Sequence, residues 1–296
     1  MVLPVYISRN GVPVSPAEAC VSVLTPALYG AYGVYESMQV VGGTPFEEAG
    51  HLKRLARSAK ILALPLPTDL GTFHRWIAEV LAANGAPACT LRLFVVGPEN
   101  GGEAIAYIWP QPVSVYPQEY YTEGVSAITF EGCRYLAPAK SLNSLASFMA
   151  QRAARAAGVH EGLLYRDNFL TEGSNSNLFA VIDGVVLTPP APTVLSGVTR
   201  DLVMALAVAN SVPLREETLA LAEMARWEEC FITSTSRHIM PVTLVNGKPV
   251  GVGVVGPVTR RLMALFAAYF AATTQAVQAV DAGSKEGIFP SPRALC

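Results

Sequence analysis

The sequence predicts an α+β fold divided into two domains. The 296 residues are enough for two domains of ordinary size, and 51% of them are hydrophobic, so a substantial core is expected. Residues 1–110 alternate between short strand-like runs and helical stretches. A proline-rich stretch, residues 110–124, has the composition of a connection between domains. We therefore expect a small N-terminal α+β domain over residues 1–115, a linker over residues 116–124 and a larger C-terminal domain over residues 125–296.

The N-terminal half begins with a predicted strand that enters a hairpin at Asn10-Gly11. The opening residues carry no charged region before an apolar block, so they do not predict a signal peptide. The run VYESMQVV predicts a further strand, and AGHLKRLARSAKILAL predicts an amphipathic helix. TLRLFVV and AIAYIW predict two more strands.

The C-terminal half begins with the predicted strand VSAITF, followed by a helix after Asn143 through SLASFMAQRAARAAG. GLLYRD and NLFAVIDGVVLTP predict strands, and TRDLVMALAVAN predicts a second helix. CFITS and VTLVNGKPV predict the last strands, with a tight turn at Asn246-Gly247. The uncharged segment 262–280 is diluted by alanine, threonine and glutamine, and we expect a packed helix rather than a membrane span.

The composition points to small-molecule partners. A formal net charge of −2 and the lack of a basic run argue against a nucleic-acid surface, whose affinity would come from neutralised phosphates. The five cysteines are scattered, with no CxxC pair and no histidine at metal-ligand spacing. We therefore expect no metal and a cytoplasmic, reducing location.

One lysine has the surroundings that amine chemistry requires. A lysine that bonds to a carbonyl must lose its proton easily, so burial or a neighbouring cation has to lower its pKa. Four of the five lysines lie in a polar turn, in the polar tail or on an amphipathic helix, whereas Lys140 in APAKSLNSLASF has apolar neighbours. A surface lysine at the start of a helix is the alternative.

A carboxylate follows thirty-two positions later, in TEGSNSNLF. Pyridoxal phosphate is an effective electron sink when its pyridine nitrogen is protonated, and a carboxylate beside that nitrogen maintains this state. Glu172 is the candidate. A simple turn or helix-capping box is the alternative meaning of TEGS.

Two further segments have the composition of a phosphate site. A phosphate needs backbone N–H groups, hydroxyls and a cation, and the N-terminus of a helix supplies the first of these. SGVTR leads directly into a predicted helix, so Gly197, Val198 and Thr199 can form an anion cradle, with Thr235 of TSTSR as a second hydroxyl source. Arg54 of HLKRL can bring the charge. Ordinary N-capping and a solvated arginine are the alternatives.

These strings together resemble the class IV, or fold type IV, pyridoxal-phosphate aminotransferases. The resemblance covers nearly the whole chain, through YGAYGVYES, HLKRLARSA, KSLNSL, TEGSNSNLF, LSGVTRDLV and TSTSRHIMPV. This family includes branched-chain, D-amino acid and (R)-amine transaminases and aminodeoxychorismate lyase. The resemblance implies a small α+β domain and a larger domain with a β-barrel-like core. It also implies pyridoxal 5'-phosphate as cofactor, an amino donor and a 2-oxo acid acceptor as substrates, and a homodimer or higher homo-oligomer.

The resemblance also implies roles for individual residues. Lys140 would be the Schiff-base lysine and the base that moves a proton from the substrate Cα, and Glu172 the partner of the pyridine nitrogen. The implied phosphate-site residues are Arg54, Gly197, Val198, Thr199, Ser234 and Thr235. Tyr35 and Ser37 would lie over the cofactor, and strand alternation puts them on one face, opposite Glu36 and Met38. Glu36 is then a structural ion-pair partner.

Substrate preference stays open at this point. Arg92, Ser236 and Arg237 are candidate substrate-binding residues, although each arginine can instead form a surface or interdomain ion pair. The arginine-x-histidine of typical D-amino acid enzymes is replaced by GPENGGEA, residues 97–104. Few charged groups are available to recognise an acidic side chain, which favours apolar amino acids. A D-amino acid or (R)-amine transaminase, a lyase of the aminodeoxychorismate type and a catalytically silent binding protein are the alternatives.

Overall fold

The computed structural model of the protein describes residues 4–98 and 102–285. The end of the predicted second domain, residues 286–296, and Cys296 with it, lies outside the described residues. The elements of the first half, in chain order, are β1 (Ile7–Arg9), β2 (Val12–Val14), α1 (Pro26–Gly30), β3 (Gly33–Val41), β4 (Thr44–Pro45), α2 (Glu48–Ile61), α3 (Leu70–Asn84), β5 (Ala88–Val96) and β6 (Ile105–Gln111). The strands predicted for this half are confirmed.

The first half forms a six-stranded antiparallel sheet with the order β2-β1-β6-β5-β3-β4. Because side chains alternate along a strand, one face of β3 carries Val34, Met38 and Val40 into a core formed with α2 and α3. Tyr35 and Ser37 lie on the opposite face, as predicted. This alternation fixes which side chains of the sheet are free to form a site.

The elements of the second half are α4 (Glu119–Thr122), β7 (Val125–Glu131), α5 (Leu145–Ala156), β8 (Glu161–Arg166), β9 (Phe169–Gly173), β10 (Ser176–Ile182), β11 (Val185–Thr188), α6 (Val198–Ala209), β12 (Leu214–Glu216), β13 (Leu219–Ala220), β14 (Glu229–Ser234), β15 (His238–Val245), β16 (Lys248–Pro249) and α7 (Pro257–Lys285). Two short 3-10 helices span Ala191–Thr193 and Leu221–Arg226. The predicted helices after Asn143 and within TRDLVMALAVAN are confirmed.

Six strands of the second half close into a barrel. Within the set β7, β8, β9, β10, β14 and β15, each strand pairs with two others of the set, and the β9–β10 pairing closes the ring. The interior is apolar, with Leu163, Leu178, Ile232 and Met240 among its buried residues. The barrel-like core that the family resemblance implies is therefore confirmed, with no open edge between these strands.

Helices α6 and α7 cover the outside of the barrel. Phe179 and Phe231 stack with a centroid separation of 4.7 Å, and Leu262 and Phe266 of α7 join the same buried cluster. Helix α7 extends to Lys285, five residues beyond the uncharged segment singled out in the sequence. Within residues 4–98 and 102–285, no helix combines the length and the apolar content that crossing a bilayer requires.

The connection between sheet and barrel, residues 112–124, runs back over the barrel. It contains the short helix α4, and the Tyr121 hydroxyl donates to the Arg237 carbonyl oxygen over 3.3 Å. The predicted linker at residues 116–124 lies between the last strand of the sheet and the first strand of the barrel. The domain boundaries themselves stay a prediction.

Candidate active site

A cavity of about 520 Å³ lies between the first sheet and the barrel. Its walls include every residue that the sequence analysis singled out for a site. These residues are Tyr35, Ser37, Arg54, Arg92, Lys140, Glu172, Gly197, Val198, Thr199, Ser234, Thr235, Ser236 and Arg237. Segments that are far apart in sequence thus meet in one volume, which is large enough for a cofactor and a small substrate.

Lys140 is fixed against the first sheet by its backbone. The Tyr35 amide donates to the Lys140 carbonyl oxygen over 2.9 Å, the Leu142 amide donates to the Gly33 carbonyl oxygen over 2.9 Å, and the Lys140 amide donates to Ser58 Oγ over 3.0 Å. The Lys140 segment therefore follows β3 like a short extra strand.

The Lys140 amine faces the cavity, with its Nζ 4.5 Å from the centre of the Tyr35 ring. Burial lowers the pKa of Lys140, and the nearby cations Arg54 and Arg134 lower it further, while Tyr35 acts in the opposite direction. Lys140 in turn lowers the pKa of the Tyr35 hydroxyl. The surface-lysine alternative is therefore wrong.

Glu172 is a buried carboxylate across the cavity, on β9. Its Oε2 accepts the Leu195 amide over 3.2 Å, and its Oε1 lies 3.8 Å from Nη1 of Arg134. Burial raises the pKa of Glu172, whereas Arg134 and the Leu195 amide oppose that rise. The carboxylate is thus desolvated and has a cationic neighbour that is not in direct hydrogen-bond contact.

Arg54 connects the helical face of the sheet with the loop before α6. Its Nε and Nη2 donate to the two carboxylate oxygens of Glu36 over 2.8 and 2.7 Å, and its Nη1 donates to the Ser196 carbonyl oxygen over 3.2 Å. Burial would raise the pKa of Glu36, but Arg54 outweighs it and holds that pKa well below the usual range. His51 adds a 2.8 Å contact to Glu36. Glu36 is the predicted ion-pair partner.

The N-terminus of α6 opens on the cavity. Gly197 is the N-cap residue, and no side chain of the described residues caps the first turn. The ordinary-capping alternative for SGVTR is therefore wrong, and the first amides of the helix remain available to an anion. Asn177 secures the preceding loop by donating to the Leu195 carbonyl oxygen over 2.8 Å. A Cβ on Gly197 would lie 1.9 Å from the Asn177 amide oxygen, so this approach requires glycine.

A second polar turn, residues 234–237, borders the same cavity. The Arg237 amide donates to Ser234 Oγ over 3.2 Å, which closes the turn. The Ser236 hydroxyl lies 3.3 Å from the hydroxyl of Tyr116. The connection between the sheet and the barrel thus contributes the wall residue Tyr116 to the site.

The two candidate carboxylate-binding arginines differ in their surroundings. Arg237 forms a buried ion pair with Glu161. Arg92, which is paired in register with Ser37, has no carboxylate ion-pair partner among residues 4–98 and 102–285, and its Nε has no hydrogen-bond partner there. Of these two arginines, Arg92 is therefore the one whose charge is not balanced by a carboxylate of the described residues.

The match to a family model decides the identity of the fold. The model described as "Amino-transferase class IV" matches residues 33–245, a range that includes every residue lining the cavity. The chain belongs to the class IV aminotransferases. It is accordingly a pyridoxal-phosphate-dependent aminotransferase that acts on an amino donor and a keto acid acceptor.

Known members of the class IV aminotransferases are similar over most of the chain. A D-alanine aminotransferase of Staphylococcus aureus (strain COL) is 30% identical over 273 residues, covering 89% of this chain and 97% of the relative. A putative branched-chain-amino-acid aminotransferase of Methanocaldococcus jannaschii is 33% identical over 275 residues, covering 88% and 94%. The crystal structure of a T.th. branched-chain amino acid aminotransferase with pyridoxamine 5'-phosphate has a TM-score of 0.83 and 29% identity, covering 90% and 94%.

Sequence reasoning missed several residues of this class IV aminotransferase site. Arg134 lies beside Glu172, and its Nη2 donates to the Ala139 carbonyl oxygen. Its position six residues before Lys140 in an otherwise uncharged stretch was a usable signal. Tyr116 and Thr233 line the cavity and Glu161 contacts its wall residue Arg237, and none of the three gave a signal, because tertiary contacts bring them there. Residues 99–101 of the GPENGGEA segment lie outside the described residues.

Proposed function

We propose that this class IV aminotransferase transfers the amino group of apolar amino acids to a 2-oxo acid, with Lys140 as its catalytic residue. The observation that carries the proposal is the pairing, in one cavity, of an amine of lowered pKa with a buried carboxylate and an uncapped helix N-terminus. The buried amine, the buried carboxylate and the uncapped backbone amides each destabilise the fold unless a ligand of complementary charge or hydrogen-bonding capacity binds them.

The donor set of the cavity fits pyridoxal phosphate group by group. Lys140 would bond to the aldehyde carbon, and the Glu172 carboxylate would accept a hydrogen bond from the protonated pyridine nitrogen and so keep it protonated. The amides of Val198 and Thr199, the hydroxyls of Ser234 and Thr235 and the guanidinium of Arg54 would hold the phosphate. The bound cofactor supplies an electron sink for the pair of electrons left at the substrate Cα.

The residues around the reacting atoms have separate tasks. Lys140 Nζ takes the proton from the substrate Cα, and its lowered pKa keeps a larger fraction of the amine neutral and able to act as a base near neutral pH. A buried carboxylate such as Glu172 is stabilised by an adjacent cation, and a protonated pyridine nitrogen provides one. The aromatic ring of Tyr35 shields the amine from water on one side.

The proposed substrate follows from the remaining wall. Arg92 would bind the substrate carboxylate, since its guanidinium faces the cavity between the Tyr35 and Phe94 rings, 5.5 and 5.4 Å from their centres. Phe94, Leu142 and Phe148 offer an apolar surface to a substrate side chain. D-amino acids are the second candidate substrates, because a relative with nearly full-length similarity is named a D-alanine aminotransferase.

Borohydride trapping tests the central assignment. Reduction of the yellow protein followed by peptide mapping is expected to locate the cofactor on Lys140, and Lys60→Ala, a change of an exposed lysine on α2, is expected to leave that adduct intact. An adduct on any other lysine would contradict the proposal.

A panel of amino donors tests the proposed substrate class. L- and D-alanine, L- and D-leucine and both enantiomers of 1-phenylethylamine, each with the same 2-oxo acid, assign the preferred donor and its stereochemistry. Pyruvate formed without an amino acceptor would indicate a lyase instead.

We also propose a cytoplasmic homodimer or higher homo-oligomer. Phe148 lines the cavity and is 54% exposed, and Leu145 on the same helix is 67% exposed, so a second subunit that covers α5 would bury apolar surface beside the site. Light scattering on the purified protein measures the assembly, and a monomer at micromolar concentration would contradict the proposal of a homo-oligomer.

The cytoplasmic location is supported by the cysteines. Cys20, Cys89, Cys133 and Cys230 are free thiols, as expected in a reducing compartment.

A further inference from the structure

A buried carboxylate outside the predicted site organises the barrel wall of the cavity. Glu161, at the start of β8, has a fully buried side chain. Its Oε1 accepts the Gly162 amide over 2.9 Å, the Ser174 amide over 3.0 Å and the Ser174 hydroxyl. Its Oε2 accepts the Ser176 hydroxyl over 3.0 Å and Nη1 of Arg237. The two oxygens therefore have different sets of partners.

The Oε2 contact determines the charge that Arg237 presents to the cavity. Arg237 follows the turn with Ser234 and Thr235, and its guanidinium lies 5.9 Å from the centre of the Tyr116 ring. The pair commits Nη1 of Arg237 to Oε2 of Glu161, and the carboxylate offsets the guanidinium charge, so Arg237 attracts a second anion less strongly than an arginine without a carboxylate partner would. Arg92, on the opposite wall, has no such partner among the described residues.

We infer that Glu161 is a specificity-determining positioning residue: by holding Arg237 in a neutral pair it leaves Arg92 as the cation that binds the substrate carboxylate. This inference rests on the proposed function, in which a carboxylate substrate enters this cavity. Glu161 acts through Arg237 and touches neither substrate nor cofactor. As a consequence, Arg92 and not Arg237 binds the substrate carboxylate, and this contact sets the orientation of the substrate in the cavity.

Glutamine is a selective probe of this role because it keeps the shape of glutamate. The amide oxygen of Glu161→Gln can continue to accept from Gly162 and Ser174. Its NH2 group can donate to the Ser176 hydroxyl but cannot accept from Arg237, so the substitution breaks the arginine contact and preserves the support of the β9–β10 turn. Arg237 then becomes a free cation beside the cavity.

The test measures acetate binding to the holoenzyme by titrating the cofactor absorbance, a readout that does not depend on turnover. Wild type is expected to bind acetate through Arg92, and Arg92→Gln is expected to lose that binding. Glu161→Gln is expected to bind acetate about tenfold more tightly than wild type, the size of one charge-assisted contact. Glu161→Gln in the Arg92→Gln background is expected to regain binding, and the further change Arg237→Gln to abolish it again.

Two results would overturn the inference. One is an unchanged acetate affinity in Glu161→Gln; the other is a gain that persists when Arg237 is also changed to Gln. If Glu161→Gln fails to fold, the single variant Arg92→Gln decides: loss of acetate binding supports a masked Arg237, and binding retained at an affinity close to wild type refutes it, because Arg237 would then be the cation that holds acetate. A failure of the proposed function is recognised separately, because wild type would then carry no cofactor on Lys140.

Discussion

The two walls of the cavity differ in their secondary structure and in whether their arginine has a carboxylate partner. The wall from the first sheet is one face of two neighbouring strands, β3 and β5, and it leaves the cation Arg92 without an ion-pair partner among the described residues. The barrel wall is built from turns and strand ends, and its arginine Arg237 is paired with a buried carboxylate. Two arginines that line one cavity can therefore differ in net charge, because only one of them has a carboxylate partner among the described residues.

Lys140 lies where the two walls meet, so its removal is expected to have the largest effect on activity. Lys140→Ala is expected to lower kcat by at least about 10³-fold, because it removes both the bonding amine and the proton-transferring base. Steady-state rates of wild type, Lys140→Ala and the exposed control Lys60→Ala measure the effect. A Lys140→Ala variant with a rate near that of Lys60→Ala would show that neither wall uses this amine.

His238 tests the direct contact between the walls, since its Nε2 lies 2.6 Å from Oε1 of Gln39 on β3. Burial lowers the pKa of His238 to about 4. The unfolded chain therefore binds a proton near pH 6.5 that the folded protein does not, and stability falls as the pH drops from about 6.5 to 4. The loss reaches about 3.4 kcal/mol at most, which is 2.5 pH units at about 1.36 kcal/mol per unit.

The variant His238→Asn isolates this titration from that of the carboxylates. Asparagine tolerates the left-handed backbone of this position, where φ is 55°. Urea unfolding at pH 4.5, 5.5, 6.5 and 7.5 is expected to give a shallower loss for the variant than for wild type. Parallel stability curves for the two proteins would mean that His238 titrates near its ordinary pKa.

The variants Arg92→Gln and Arg237→Gln test directly how the two arginines differ. Arg92→Gln is expected to raise the KM for the amino acid and the 2-oxo acid by about 30-fold with a smaller change in kcat, the size of a lost charge-assisted contact. Arg237→Gln is expected to change KM less, and Arg92→Lys to recover part of the affinity. A larger KM increase in Arg237→Gln than in Arg92→Gln would reverse the roles of the two walls.

Gly197→Ala is expected to have the smallest effect. The new Cβ would press on the Asn177 amide, displace the loop before α6 and raise the dissociation constant of the cofactor about tenfold, as expected for the loss of a single hydrogen-bond contact. Gly30→Ala is the control, because a Cβ there has open space. Fluorescence titration of the apoprotein with pyridoxal phosphate measures both, and equal affinities would show that the cradle tolerates displacement.

The residues of the two walls were predictable from the sequence to different extents. A period of two residues in VYESMQVV assigned Tyr35 and Ser37 to one face and Glu36 to the other, and the structure confirms that assignment. On the barrel wall, the motifs identified Glu172 and the 197–199 loop, but no periodicity related them to Glu161. A strand start and a turn seventy-six positions apart meet only through the closed barrel.

From the residues alone one could predict the fold class, the strand faces, and the amine, carboxylate and loops that line the cavity, because these depend on local spacing and on the chemistry of single side chains. Which of the charged side chains are paired could be read only from the tertiary structure. Arg92 or Arg237 remains unpaired according to its distance from a carboxylate of another segment. In a buried site the attraction between charges is strong, so that distance sets the net charge that each arginine presents to a substrate.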